Sequence, residues 1–247
     1  MDTKRKIALI TRHGLTPPKT ETGTDRITEE SIGNLYRNTG GYLRPFVEEY
    51  EVTSQGIFVR HSGKKRTIQT ANASLAGALK ITPVPRSLDE LNALNLDITD
   101  IRRDERLDYD EVQMNEEVFF RDPDAYIRDL FLDQKRTELE GKEVTPYEHI
   151  IERSRGLLQD TVVRLTQERT KKDLGVLSTH SGMVESILAA AVNSVRSSPT
   201  RNADDIGGPV PKEGYAALVL DYSPKSGLYD ASLERNGQTY QVNLQNL

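Results

Sequence analysis

The chain has 247 residues and a mass of 27.8 kDa, the size of one large α/β domain or of two small ones. Apolar residues make up 36% and charged residues 29%, enough for a core and a soluble surface, which excludes collagen-like and mucin-like chains. A formal net charge of −5 gives no basic footprint for nucleic acid, and the absence of cysteine removes thiol nucleophiles, Cys-ligated metal sites and disulfide scaffolds.

The basic start, residues 1–6, precedes only a four-residue apolar run and does not read as a signal peptide. No apolar run approaches the roughly 20 residues of a membrane helix. The expectation is a soluble, cytoplasmic protein with neither a membrane nor a nucleic-acid partner. Residues 6–11 (KIALIT) read as a buried parallel strand that ends at Arg12-His13-Gly14. Thr28, followed by Glu29 and Glu30, reads as the N-cap of a helix running to about Glu49. Residues 56–60 (GIFVR) form a second strand, after which Ser62 caps a helix with Ile68, Ala71, Leu75 and Leu79 on its apolar face. A third strand is expected over 81–84, followed by Leu88-Asp89-Glu90 in extended form.

Residues 100–145 hold fifteen Asp and Glu against eight Lys and Arg, a local charge of −7, so the rest of the chain carries about +2. Their short apolar pieces suggest helices packed on a scaffold. A long helix is expected from Tyr147 to about Arg169, a buried strand over 174–178 and a helix over 183–192. A polar loop over 196–211 leads to strands over 215–222 and 228–244, with Asn236-Gly237 as a type I′ hairpin turn. The pattern predicts an α/β three-layer sandwich: a mostly parallel central sheet with helices on both faces, an inserted helical cap and a C-terminal β-hairpin. Residues 1–247 form one domain, with 91–145 as the acidic cap. The exposed edge of the hairpin offers a surface for a homodimer.

The chemistry gathers at strand ends. Arg12 and His13 follow the first strand, Arg66 lies in the first helical turn after the second, and His180 follows the strand over 174–178. Ligands of open α/β sheets sit beyond the carboxyl ends of the strands, where these groups can converge. Two guanidiniums and two imidazoles near helix N-termini suit a phosphate dianion. There is no GxxxxGK[ST] loop to cradle a nucleoside triphosphate.

Thr11-Arg12-His13-Gly14 resembles the RHG signature of the histidine phosphatase superfamily, the phosphoglycerate mutase-like proteins. The likeness continues in order through Asp25-Arg26-Ile27-Thr28-Glu29, Ser62-x-x-x-Arg66-x-x-x-Thr70-Ala71, Leu88-Asp89-Glu90, the helix segment 148–155 and Thr179-His180-Ser181-Gly182, spanning about residues 6–192. The resemblance implies a catalytic set of His13 as nucleophile, Glu90 as general acid and His180. Arg12 and Arg66 would hold phosphate oxygens, joined by Thr16 and Ser62, with no metal or cofactor required. Asp89 is the alternative acid, and Ser62 reads equally as a plain helix cap. Arg60 and His61 flank the pocket in supporting or surface roles.

The sequence also departs from that pattern. Mutases of this group carry an Asn six residues after the nucleophile, where this chain has Lys19; the acid-phosphatase branch has an Arg where this chain has Thr16 and an Asp where it has Ser181. The likeness is therefore to the mutase-like branch, used as a phosphatase on a small phosphorylated metabolite. A phosphoglycerate-type phosphomutase and a non-catalytic phospho-ligand binding protein are the alternatives. Arg102, Arg103 and Arg106 are either contacts for further anionic groups or a solvated charged face paired with its own Asp and Glu.

Overall fold

The run Arg5–Arg12 forms strand β1, whose side chains alternate between two apolar layers: Ala8 and Ile10 on one face, Ile7 and Leu9 on the other. A strand buried on both faces reads as a continuous apolar run, as this one does. The computed structural model describes residues 4–17, 25–108, 127, 138–139, 142–143, 147–196, 198, 200 and 203–247.

The remaining strands of the central sheet are β2 (Ile57–His61), β3 (Asp100–Arg103), β6 (Leu174–Thr179), β7 (Tyr215–Ser223), β8 (Leu228–Arg235) and β9 (Gln238–Val242); β4 (Glu138–Leu139) and β5 (Lys142–Glu143) pair separately. The seven run in the order β3-β2-β6-β1-β7-β8-β9. β3, β2, β6 and β1 are mutually parallel, whereas β7, β8 and β9 continue the same sheet antiparallel. The predicted hairpin is therefore an extension of the sheet rather than an appendage. Its turn carries positive φ at both Asn236 (49°) and Gly237 (75°), the requirement of type I′.

Helices α2 (Thr39–Glu49) and α3 (Lys65–Ala78) cover one face through Leu43, Phe46, Val47, Ala71 and Leu75. Helices α5 (Tyr147–Thr166) and α6 (Met183–Asn193) cover the other through Leu157, Leu158, Leu165, Val184 and Leu188. Helix α1 (Glu29–Arg37) sits outside α3 and joins α4 (Leu88–Ala93) through Ile32, Leu35, Ala73 and Leu91. No helix among the described residues is long and apolar enough to cross a membrane.

Four expectations change. The helix predicted from Thr28 to Glu49 is two helices: Thr28 does cap α1, accepting from Ser31 N, but Asn38 ends it and starts α2. Gly40 and Gly41 weaken continuity there, and Gly40 packs so tightly on α3 that a Cβ would lie 2.6 Å from Ser74 O. Residues 81–84 form no strand, because Pro83 and Pro85 cannot donate to a ladder. Leu88-Asp89-Glu90 opens α4 instead of running extended, capped by Ser87 whose Oγ accepts from Glu90 N. Residues 100–103 pair with β2 and so belong to the sheet, not to a cap; most of 109–146 lies outside the described residues.

Candidate active site

Parallel pairing in the order β2-β6-β1 brings three strand ends together, and each delivers part of one cluster. At the end of β1, Arg12 N donates to Gly214 O (3.0 Å) and His13 N to Thr179 O (2.9 Å), so the backbone is gripped from both sides. Gly14 then passes beneath α1, where a Cβ would stand 2.1 Å from Ser31 Oγ. Only glycine fits at this approach. Its N–H donates to Thr70 Oγ1 (3.0 Å), which itself donates to Arg66 O (2.7 Å), tying the RHG turn to the first turns of α3.

His13 Nδ1 lies 2.8 Å from Gly14 O. A carbonyl only accepts, so Nδ1 carries the proton and, in the neutral ring, Nε2 keeps its lone pair. Burial is the main reason the ring is neutral; Arg66, Arg12 and Lys212 add to it against the Gly14 carbonyl, and the pKa falls to about 3. The His180 ring stands edge-on to His13, with centroids 5.2 Å apart. Its pKa is also driven well below the usual imidazole value, first by burial and then by His13 and Arg66.

A directed hydrogen-bond chain orients His180. Arg66 Nη2 lies 3.5 Å from His180 Nδ1, and a guanidinium can only donate, so the proton of this neutral ring sits on Nε2. Nε2 donates to Ser62 Oγ (2.8 Å), Ser62 to Thr67 Oγ1 (3.2 Å) and Thr67 to Lys64 O (2.7 Å). Ser62 is thus not the helix cap that the sequence suggested: Lys64 is the N-cap of α3, and Ser62 is fully buried behind His180. Arg66 also faces Asp25, with Nη1 3.9 Å from Oδ1.

Arg12 is buried, and its Nη1 donates to Val210 O (2.5 Å). The residue that sequence reasoning missed lies behind it. Glu185, in the first turn of α6, is fully buried; its Oε1 accepts from Val210 N (2.6 Å) and its Oε2 from Gly182 N (2.5 Å). Its bond to the N-cap N–H of Gly182 is one half of a capping box at the N-terminus of α6, and its bond to Val210 N holds the residue whose carbonyl accepts from Arg12. Burial raises its pKa, opposed by those N–H groups and by Arg12. A lone carboxylate within the apolar run 183–192 was the available signal, since buried charges need partners.

The other predicted residues fall outside this cluster or at its edge. Glu90 is exposed at the start of α4, where its Oε2 accepts from Arg86 N (2.6 Å); Asp89 beside it is also exposed. Thr16 is half-buried beyond the RHG turn, and Lys19 lies outside the described residues. Arg60 and His61 are buried supports: Arg60 Nη2 meets Asp100 Oδ1 at 2.9 Å, and His61 Nδ1 accepts from Gly63 N at 3.0 Å. Arg106 is held by Asp104 and by Asp160 of α5 (2.8 Å each), Arg103 faces Asp108 (3.7 Å) and Arg102 faces Asp100 (3.5 Å), so each has a carboxylate partner within 100–108.

No family model and no curated protein sequence matches the chain. Solved structures do. A mycobacterial hydrolase superposes with a TM-score of 0.54 at 16% identity, over 98% of this chain and 95% of that one. A mycobacterial glucosyl-3-phosphoglycerate phosphatase gives 0.54 at 17% identity, over 93% and 97%. Its complex with inorganic phosphate gives 0.52 at 16%, over 97% and 99%. The chain has the histidine-phosphatase fold. In this chain's version of the histidine-phosphatase fold, the ends of β1, β2 and β6 carry His13, Ser62 and His180, with Arg66 one helical turn beyond.

Proposed function

We propose that the protein is a metal-independent phosphatase that hydrolyses a small phosphorylated metabolite through a phosphohistidine. The observation that carries this reading is the His13 Nδ1 bond to Gly14 O, which leaves a neutral Nε2 lone pair between two guanidiniums and a second imidazole. Nε2 attacks phosphorus; the N–P bond forms as the bond to the leaving oxygen breaks, and that oxygen takes a proton from the general acid. Water then gives a proton back to that acid as it attacks the phosphohistidine, the N–P bond breaks with its electron pair returning to Nε2, and inorganic phosphate departs. Arg12 and Arg66 hold the non-bridging oxygens, joined by His180 once the phosphate dianion draws a proton onto its Nδ1, and the catalytic gain comes from this positioning and charge. The solved neighbour that acts on glucosyl-3-phosphoglycerate and binds inorganic phosphate supports a small substrate. The part of 91–145 beyond β3 serves as the acidic cap in this reading and disfavours polyanions.

The test is phosphate release from p-nitrophenyl phosphate in EDTA. Activity should survive the chelator and disappear in His13→Ala, with acid-quenched phosphate bound to wild type alone. Loss of activity in EDTA sinks the metal-free mechanism; persistence in His13→Ala sinks the nucleophile. The resemblance gives the acid role to Glu90, with Asp89 as the alternative, and both are exposed at the start of α4. Glu90→Gln should slow alkyl phosphates by about 100-fold but spare p-nitrophenyl phosphate, whose leaving group needs no proton. The same pattern in Asp89→Asn, and not in Glu90→Gln, transfers the role to Asp89.

A further inference from the structure

Lys212 sits at a corner that nothing above uses. Gly214 N donates to Pro211 O (2.8 Å), closing a four-residue turn with Lys212 and Glu213 at its centre. The turn is clamped to the nucleophile segment: Glu213 N donates to His13 O (3.3 Å), Arg12 N to Gly214 O (3.0 Å) and Arg12 Nη1 to Val210 O (2.5 Å). Glu213 adopts φ +65°, a conformation that costs a non-glycine residue energy and persists where the surroundings enforce it. Here the enforcement comes from α1: Ser31 Oγ donates to Glu213 Oε1 (2.5 Å) and Asn34 Nδ2 to Oε2 (3.3 Å). The Glu213 carboxylate is therefore held by α1, and Lys212 is left exposed in a turn bonded to the His13 backbone.

Lys212 makes no ion pair or side-chain hydrogen bond among the described residues. The charges it feels are cationic: Arg12 and Arg66 both act to lower its pKa after burial does, and it in turn acts on His13. Two guanidiniums already match the charge of a phosphate dianion, so this ammonium is a surplus positive charge beside it.

We infer that Lys212 binds a second anionic group of the substrate, a carboxylate by charge count, and so makes the site selective for phosphorylated acids over simple phosphate esters. The inference deepens the phosphatase reading and rests on it.

Ethyl phosphate and phosphoglycolate test it, since they differ only by a carboxylate in place of a methyl group. Wild type should favour phosphoglycolate about ten-fold in kcat/KM and in Kd, the worth of one charge-assisted hydrogen bond. Lys212→Met should bring the ratio close to one, and Lys212→Arg should keep most of it. A wild-type ratio near one, a ratio untouched by Lys212→Met, or an equal fall for both compounds each overturns the assignment; the last would give Lys212 to the transferred phosphoryl group. If wild type hydrolyses neither compound, the phosphatase reading fails. The calorimetric Kd ratio then still decides whether Lys212 reads the carboxylate.

Discussion

His13 and His180 reach similar neutrality by different routes, and the difference sets what each residue can do. The His13 proton is fixed by a backbone carbonyl one residue away, so its tautomer survives any side-chain substitution nearby. The His180 proton is fixed by Ser62, itself held by Thr67 and Lys64 O. Ser62→Ala leaves a buried Nε2–H without its acceptor, which costs about 1–3 kcal/mol in denaturant-measured stability. It should also lower kcat for p-nitrophenyl phosphate about ten-fold, as His180 loses its fixed orientation. A fall in stability with kcat intact would make Ser62 a packing residue only. The sequence singled out Ser62 but could not distinguish a helix cap from an acceptor that orients a ring, because that depends on which residue turns first into α3.

At the scale of elements, the loop over 210–214 is the least obvious part of the site and the most constrained. Glu185 holds its N–H, Arg12 holds its carbonyl, and Arg235 donates to Ile206 O, Gly208 O and Pro209 O just before it. Glu185→Ala strands two buried N–H groups, so unfolding should come about 2–4 kcal/mol earlier in a urea titration. Glu185→Gln keeps one acceptor and should lose about half as much; equal losses would mean that the carboxylate's charge, not its geometry, matters. The strands β1, β2 and β6 and the helices α5 and α6 were legible because each is a continuous apolar run or a helical stripe. Residues 81–84 misled for a physical reason: Ile81 and Val84 are apolar, but two prolines forbid the ladder. β3 was hidden by its charge. Asp100, Arg102 and Arg103 suit an exposed edge strand, yet in a sequence they resemble a solvated segment. The link from α6 to the loop over 210–214 was not legible, since it joins residues 25 apart through a single carboxylate.

For the whole molecule, burying imidazoles near cations carries an acid liability. His13, His61 and His180 are all pushed below the ordinary value of 6.5, chiefly by burial. As pH falls through 6.5 the unfolded chain takes up protons that the folded chain refuses, and for His13 that refusal lasts to about 3. Stability is therefore intact above pH 6.5 and is lost on acidification, by about 1.4 kcal/mol per pH unit for each such histidine. His13→Ala should remove close to one proton's worth of slope between pH 5.5 and 4.5, measured by urea unfolding in phosphate-free buffer. An unaltered slope would show that the folded protein protonates His13 in that window.

Arg12 and Lys212 lack a carboxylate within ion-pair distance among the described residues, and both act together with Arg66 on the buried His13. Such a cluster repels itself when empty, so any small anion relieves it, inorganic phosphate included. Inorganic phosphate should then raise the melting temperature in step with its concentration. Under the proposed phosphatase reading, the reaction works against product inhibition. Turnover would be paced by how fast phosphate leaves, and accumulated phosphate in the surroundings would throttle it without any separate regulatory site.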